Sequence, residues 1–414
     1  MEERGLPEGW EWRRLGDLSK ENQILFQNGF ACGKNNQDER GFPQLRPMNV
    51  DSDGKISFDS IKYCETEKDI RRYTLKKGDI IFNNTNSREL VGKTAVWDYD
   101  YVNYVLSNHM TIIRLLLNSD IQPSYVAKYL HNLWRNRYFE QICTNHINQS
   151  SVGLDKLRDI SIPLPPLPTQ RKIVAILERA EHLRRLRAEA DALTQQLVQS
   201  VFLEMFGDPV TNPMGWEVKK LKDISDIVSG VTKGRQFNGK STVNAPYLRV
   251  ANVQDGYLNL SEIKEIEVLE SDVEKYALLE GDVLLTEGGD RDKLGRGAVW
   301  HCEISPCIHQ NHIFRVRPNR DLILPDYLSM LIGSNHGKNY FLKSAKQTTG
   351  IASINSTQLK NFPVYLPPLF LQACFADIVQ KTSILSKKQS HSLNEITSMF
   401  DSLMSRAFTG ELIA

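Results

Sequence analysis

The sequence predicts an α+β chain in which two similar α/β domains are separated by two long helices that pair with each other. Three observations predict it. First, one unit is written twice: Gly9-Trp10-Glu11-Trp12-Arg13-Arg14-Leu15-Gly16-Asp17-Leu18-Ser19 returns as Gly215-Trp216-Glu217-Val218-Lys219-Lys220-Leu221-Lys222-Asp223-Ile224-Ser225, and residues 75–97 return as 278–300. Second, the displacement stays between 202 and 206 residues along the chain. That is far beyond the roughly 20–50 residues of a solenoid repeat, so a whole domain is duplicated. Third, each copy runs from a Leu-Pro-Pro-Leu segment (164–167, 366–369) into 38 residues free of Gly and Pro (169–206, 371–408).

Each globular part alternates short β-prone runs with turns. Asp79-Ile80-Ile81-Phe82 and Thr94-Ala95-Val96-Trp97 flank the polar stretch 83–93. His109-Met110-Thr111-Ile112-Ile113-Arg114-Leu115 is a further strand, enriched in β-branched residues. A helix follows Pro123-Ser124, because Tyr125, Val126, Tyr129, Leu130 and Leu133 share one helical face. The second copy repeats this plan with Asp282-Val283-Leu284-Leu285, Gly297-Ala298-Val299-Trp300, Ile313-Phe314-Arg315-Val316 and a helix from Pro325-Asp326.

The two Gly/Pro-free stretches are rich in good helix formers. Ile176, Leu183, Ala190 and Leu197 are seven apart, with Leu186 and Leu193 as a second row. Ile378, Leu385 and Met399 form the matching row, broken at Ser392, with Ile396 and Leu403 as companions. Such a seam calls for a helical partner, and the other copy is the natural one. Each helix would be about 57 Å long. Thr169 and Gln372 are weak starts; Gly207 and Gly410 stand where left-handed caps end helices. The expected layout is 1–165 and 209–368 as globular domains, with 166–208 and 369–414 as helical spacers.

Hydrophobic content of 41% and charged content of 24% are those of a soluble protein, and no run approaches the roughly 18 apolar residues of a membrane span. Met1-Glu2-Glu3-Arg4-Gly5 has neither the basic nor the apolar part of a secretion signal, so a cytoplasmic chain is expected. The six cysteines (32, 64, 143, 302, 307, 374) form no CxxC and are expected as reduced thiols. A net charge of +1 argues against a general nucleic-acid coat but allows a local basic surface.

Catalytic signatures are weak. Gly234-Arg235-Gln236-Phe237-Asn238-Gly239-Lys240-Ser241 satisfies the phosphate-loop pattern letter for letter. A real phosphate loop opens a helix at its Lys-Ser. Here Thr242, Val243, Asn244 and Pro246 follow, so an ordinary loop is expected. His301, His309 and His312 lie near Cys302 and Cys307 without the paired spacing of a zinc site, and no metal is expected.

Taken in order and in duplicate, these features resemble the specificity subunit of type I restriction–modification systems over essentially the whole chain. The carriers are Gly9-Trp10 and Gly215-Trp216, Gly78-Asp79 and Gly281-Asp282, and the two Leu-Pro-Pro-Leu segments. Gln170-Arg171-Lys172-Ile173-Val174 and the ending Phe408-Thr409-Gly410-Glu411-Leu412 join them. Leu369-Phe370-Leu371-Gln372-Ala373 departs from the pattern by lacking the Pro and Arg/Lys of the first copy. The resemblance implies two target recognition domains with mixed β-sheet cores and an intramolecular antiparallel coiled coil. It implies a non-catalytic subunit that binds double-stranded DNA at a bipartite target and docks two methyltransferase subunits and restriction subunits. S-adenosylmethionine, ATP and magnesium would belong to those partners, with no cofactor in this chain.

Base reading needs paired donors and acceptors on exposed loops: Arg for guanine, Asn or Gln for adenine. Asn83, Asn84, Thr85, Asn86, Ser87 and Arg88 supply these in the first copy; Thr286, Glu287, Asp290 and Arg291 stand at the same place in the second. Different loops on one framework are what two different half-sites require. Arg46 and Asn49 correspond to Arg249 and Asn252, and Asn108-His109 to Asn311-His312. Positions held in both copies suit phosphate contact or internal hydrogen bonding better than discrimination. Asn148, Gln149 and Ser150, with Thr348 and Thr349, precede the Leu-Pro-Pro-Leu segments and suit phosphate or edge contacts. Lys233, Arg235 and Lys240 are phosphate candidates. The alternatives are a phosphate-loop nucleotide hydrolase with a coiled-coil arm, and a scaffold that does not touch DNA.

Overall fold

The computed structural model describes residues 5–67, 69–101, 103–116, 119–237, 239–289, 294–348 and 351–413. The chain divides into two compact units: Met1–Arg187 with Ser392–Ala414, and Ala188–His391.

Both units are built on the same four-stranded antiparallel sheet. In the first, the order is Ile24–Asn28, Met110–Leu115, Asp79–Asn83, Thr94–Trp97, with Ile113 opposite both Phe26 and Ile80, and Ile80 opposite Val96. In the second it is Ser225–Ser229, Ile313–Pro318, Val283–Thr286, Gly297–Val299, with Val316 opposite Ile227 and Val283. Strand side chains alternate between faces. Ile80, Phe82 and Ile113 therefore face a core with Tyr125, Tyr129 and Leu130, while Ile81, Ala95, Trp97 and Ile112 face another with Leu45, Val50 and Leu106. The second sheet splits likewise: Val283, Leu285, Phe314 and Val316 on one face, Leu284, Trp300 and Ile313 on the other. The helices Pro123–Arg135 and Pro325–Gly333 cover the first face, each with Pro at its opening turn. Smaller flanking sheets mix parallel and antiparallel pairs: Phe42–Leu45 runs parallel to Val105–Leu106 and antiparallel to Lys62–Cys64.

The Gly-Asp repeat has a structural reason. Gly78 and Gly281 turn the chain at φ +89° and +86°. The aspartate that follows is buried and bound by an arginine from the neighbouring strand. Arg114 Nε and Nη2 donate to Asp79 at 2.7 and 2.6 Å; Arg317 repeats this on Asp282 at 2.7 and 2.8 Å. The two Asp–Arg offsets are identical, so the duplication carried this signal, and the sequence reading passed over it.

The long helices are Leu167–Phe206 and Leu369–Ala407. Gly207 and Gly410 follow them at φ +78° and +84°. Near each start, a fully buried glutamine ties the helix to the loop before the Pro-capped helix. Gln170 accepts from Gln122 N and donates to the Asp120 and Pro165 carbonyls; Gln372 does the same with Leu324, Leu322 and Pro367. The departure at 369–373 therefore leaves this lock intact. In the first unit Ile173, Val174 and Leu177 from the opening of one helix meet Phe400, Met404 and Ala407 from the close of the other. In the second unit Phe202 and Phe206 meet Phe375. Opening meets close in both units, so the helices run antiparallel.

Two expectations are corrected. The seam that predicted the pairing is only partly covered: Ala190, Ile378, Ile396 and Leu403 are half-buried, but other members stay exposed. Leu183, Leu186, Leu193 and Leu197 are 51%, 46%, 65% and 47% exposed, and Leu385 and Met399 46% and 64%. The most buried positions are Ile173, Val174, Leu177, Thr194, Phe202 and Phe206, with Arg184 and Arg187 half-buried between Leu177 and Thr194. The cysteines are not all free thiols: Cys32 and Cys64 form a disulfide with Cα atoms 5.9 Å apart. Cys143, Cys302, Cys307 and Cys374 remain unpaired.

Candidate nucleic-acid interface

In the first unit the strand Asp79–Asn83 leads into a loop whose two-residue strand Thr85–Asn86 is the edge of a small sheet. The rest of that sheet is a hairpin, Thr144–Asn145 and Ser150–Ser151. Ser150 lies opposite Asn86 and Ser151 opposite Thr85. Two candidate segments about sixty residues apart are thus brought side by side. In the second unit Gly288–Gly289 pairs with Ile351–Ser353, which pairs with Lys346–Thr348. The same two segments converge on the same frame.

Side chains divide by burial. Ser87, Arg88, Asn148 and Gln149 are exposed, and Thr85 and Asn86 half-buried. Asn84 is held in a chain of neutral bonds: its Nδ2 donates to Thr111 Oγ1 at 2.9 Å, and Thr111 Oγ1 donates to Asn28 Oδ1 at 2.9 Å. Asn83 is fully buried with Nδ2 on the Leu90 carbonyl, and Ser150 is buried with its hydroxyl on Asn145. These two shape the loops from within. Lys93, at the loop's far end, is also buried, with its ammonium on the Val50 carbonyl; burial lowers its pKa. The sequence reading missed the hairpin tip. His146 contacts Ser151 Oγ, and Ile147 is 99% exposed beside the polar candidates. An apolar tip suits a thymine methyl group. Its signal was a hydrophobe set between Asn and His residues.

Arg46 with Asn49, and Arg249 with Asn252, fall on the side of internal bonding. Asn49 is fully buried; it accepts from Arg46 N and donates to the Ser57 and Asp59 carbonyls. Asn252 repeats this with Arg249, Asn259 and Glu262. A buried amide with its donors and acceptor used cannot reach a phosphate. Arg46 donates to the Ser60 carbonyl and Arg249 to Glu262.

In the second unit Thr286 is buried, while Glu287 stays accessible and pairs through Oε2 with His312 Nδ1 at 2.6 Å. Asp290, Arg291 and Thr349 lie outside the described residues, and Thr348 is placed only as part of its strand. Lys233 and Lys240 are exposed; Arg235 is committed to Asp272 at 2.9 Å. The phosphate-loop lookalike runs straight into the strand Thr242–Leu248, so no helix N-terminus meets Lys240 and Ser241. His309 is buried between the Tyr276 and Val228 carbonyls, and burial lowers its pKa to about 4. Among the described residues no group of three or more His, Cys, Asp or Glu is placed to hold a metal. Nor is any described helix long and apolar enough to cross a membrane.

A family model described as type I restriction modification DNA specificity domain matches residues 7–192 and again 213–398. The chain is 23% identical over 431 residues to the EcoKI specificity subunit of Escherichia coli K12, covering 99% of this chain and 90% of that one. It is 34% identical over 181 residues to a putative MjaX specificity subunit of Methanocaldococcus jannaschii, covering 43% of this chain and 41% of that one. Among solved structures it resembles the type I specificity subunit of M. genitalium, at 14% identity and a TM-score of 0.57 over 99% of this chain and 98% of that one. It also resembles a chain from work on complex assembly and conformational transition of the type I R-M system, at 22% identity and a TM-score of 0.59 over 99% and 100%. At these identities the structural likenesses speak for the fold.

Proposed function

The chain belongs to the type I restriction modification DNA specificity family, and from that premise we propose that it reads a bipartite DNA target, one half with each recognition unit. The carrying observation is the pair of converging loops on one repeated frame. The strands, the buried Asp–Arg pair and the glutamine lock are duplicated, while the side chains offered at the loop differ. In the first unit these are Asn84, Thr85, Asn86, Ser87 and Arg88; in the second, Glu287 and the glycines Gly288 and Gly289. Fixed groups position and variable groups discriminate.

The chain is the non-catalytic subunit of its complex. It docks two methyltransferase subunits, which bring S-adenosylmethionine, and restriction subunits, which bring ATP and magnesium. The exposed leucines of Leu167–Phe206 support this. Leu183 and Leu186 in the first unit, and Leu193 and Leu197 in the second, are exposed apolar side chains of the kind that mark protein interfaces. A cytoplasmic location follows from that role.

The test is sequencing of methylated sites in DNA from cells carrying the complex. Exchanging the first recognition domain is expected to change one half of the target and leave the other. Loss of both halves together would refute independent readers. Arg88→Ala is expected to relax one position in the first half and cost about 1–3 kcal/mol if the guanidinium reads a base. A uniform loss across sequences would make it a phosphate ligand.

A further inference from the structure

Within the reading just given, the two units differ at one equivalent position in a way that assigns base chemistry. Asn84 and Glu287 occupy the same place: each follows the central strand, and its backbone N–H donates to the carbonyl of His109 or His312 at 3.1 and 2.9 Å. Their backbone carbonyls also match, accepting from Val152 and Ile354 of the converging segment. The side chains diverge. Asn84 leans on Thr111, whose hydroxyl is anchored by Asn28. The positions opposite in the second unit are Phe314 and Ser229, which pair in the same register. Phe314 offers no hydroxyl. Glu287 is instead held by His312 Nδ1 on one carboxylate oxygen, Oε2, at 2.6 Å. Among the described residues its other oxygen meets no hydrogen-bond donor, and both side chains stay accessible, at 33% and 55%.

We propose that Glu287, positioned by His312, reads an exocyclic amino group (cytosine N4 or adenine N6) in the half-site of the second unit. A carboxylate only accepts, so it selects an amino edge and rejects the keto edge of guanine or thymine. It also repels phosphate, which makes a backbone contact the wrong use for it. His312 occupies one oxygen and fixes the plane of the other. In the first unit Asn84 holds an amide at the same place, with its Nδ2 donating to Thr111 Oγ1 and its Oδ1 accepting from Thr85 Oγ1 at 3.0 Å. The first unit therefore has no acceptor-only carboxylate at this position, and the selection argued for Glu287 belongs to the second unit alone.

The experiment uses the full complex with its methyltransferase partners. Sequencing of methylated sites first gives the wild-type target. Affinity is then measured for duplexes in which each base pair of the second half-site is changed in turn. Glu287→Gln is expected to reduce discrimination at one position, from amino towards keto bases, by about fivefold to a hundredfold. The other positions and the whole first half-site stay unchanged. His312→Asn is expected to relax the same position by a smaller factor, and to add little when combined with Glu287→Gln. A purely structural His312 would instead lower affinity for every duplex and the melting temperature together. Three results overturn the proposal: an unaltered target with Glu287→Gln, an equal change in affinity for all duplexes, or relaxation in the first half-site. If first-domain exchange still alters one half of the target while Glu287→Gln does nothing, DNA reading stands and this assignment falls. If neither changes the target, DNA reading itself falls.

Discussion

Asp79 and Asp282 are the residues on which each sheet most depends. Each is about 1% exposed, accepts two arginine bonds, and also accepts a backbone N–H, from Lys76 or Leu279, at 2.7 Å. Removing one partner leaves the other charge poorly solvated. Asp79→Ala is expected to destabilise its unit by about 3–5 kcal/mol, read from urea unfolding. Arg114→Met with Asp79→Leu should recover much of that loss, because neither charge then remains. A second residue-scale effect depends on pH. His131 in the first unit and His309 in the second are both buried, and desolvation lowers each pKa to about 4. The unfolded chain takes up these protons near pH 6.5. Acid therefore favours unfolding: stability from this source is intact above about pH 6.5, declines as the pH falls towards 4, and changes no further below it. His131→Gln and His309→Gln should each flatten that decline by up to roughly 3 kcal/mol. An unchanged slope between pH 6.5 and 4 in both variants would remove the imidazoles as its cause. The burial of neither histidine was legible: His309 stood out only within a His/Cys cluster that lacks metal spacing, and His131 not at all.

At the scale of elements, the helices were legible to within two residues, because a long Gly/Pro-free run allows little else. The central sheet strands were legible from their β-branched runs and their recurrence in both copies. The face each helix buries was not. A heptad row of leucines says that an apolar surface will be covered, but not by what. Here the covering of the inner face falls to Ile173, Leu177, Phe202 and Phe206, while Leu183, Leu186 and Leu193 are left outward. The two faces make opposite predictions. Leu177→Ala, at a fully buried position, is expected to cost about 2–5 kcal/mol of stability. Leu183→Ser with Leu186→Ser and Leu193→Ser should leave the melting temperature nearly unchanged and weaken association with the methyltransferase subunits, measured by size-exclusion chromatography of the mixed complex. A triple variant that unfolds would place these leucines in the core. The Asn49 and Asn252 turns were half legible: their recurrence marked them as fixed, but only their burial separates an internal lock from a phosphate contact. The Cys32–Cys64 disulfide was not legible, because composition favoured free thiols and nothing in the sequence brings residue 32 to residue 64.

At the scale of the molecule, duplication was the most legible feature and topology the least. Sequence order suggested domains followed by helices, yet each unit takes its core from both helices. Phe400, Met404 and Phe408 pack with Tyr125 and Tyr129, and Arg135 binds Asp401 at 2.5 Å. An exchanged first domain must therefore keep the contacts to 400–408. It must also be joined after the strand Ser161–Leu164, which pairs with Glu11–Arg14. The same topology sharpens a test of helix length as the setter of the gap between half-sites. Both long helices pass from one unit to the other, at Arg187–Ala188 and at His391–Ser392. An insertion in one alone would put the antiparallel pair out of register. Four residues inserted at both points add slightly more than one turn and about 6 Å, which nearly preserves the facing of every side chain. Along B-DNA, at about 3.4 Å per base pair, that is a little under two base pairs. The expected outcome is the same two half-sites with a spacer longer by one or two base pairs, read by sequencing methylated sites. Two residues inserted at both points would turn each helix by about 200° and should abolish assembly. A folded, active four-residue variant with an unchanged spacer would refute helix length as the ruler while leaving each unit's reading of its own half-site intact.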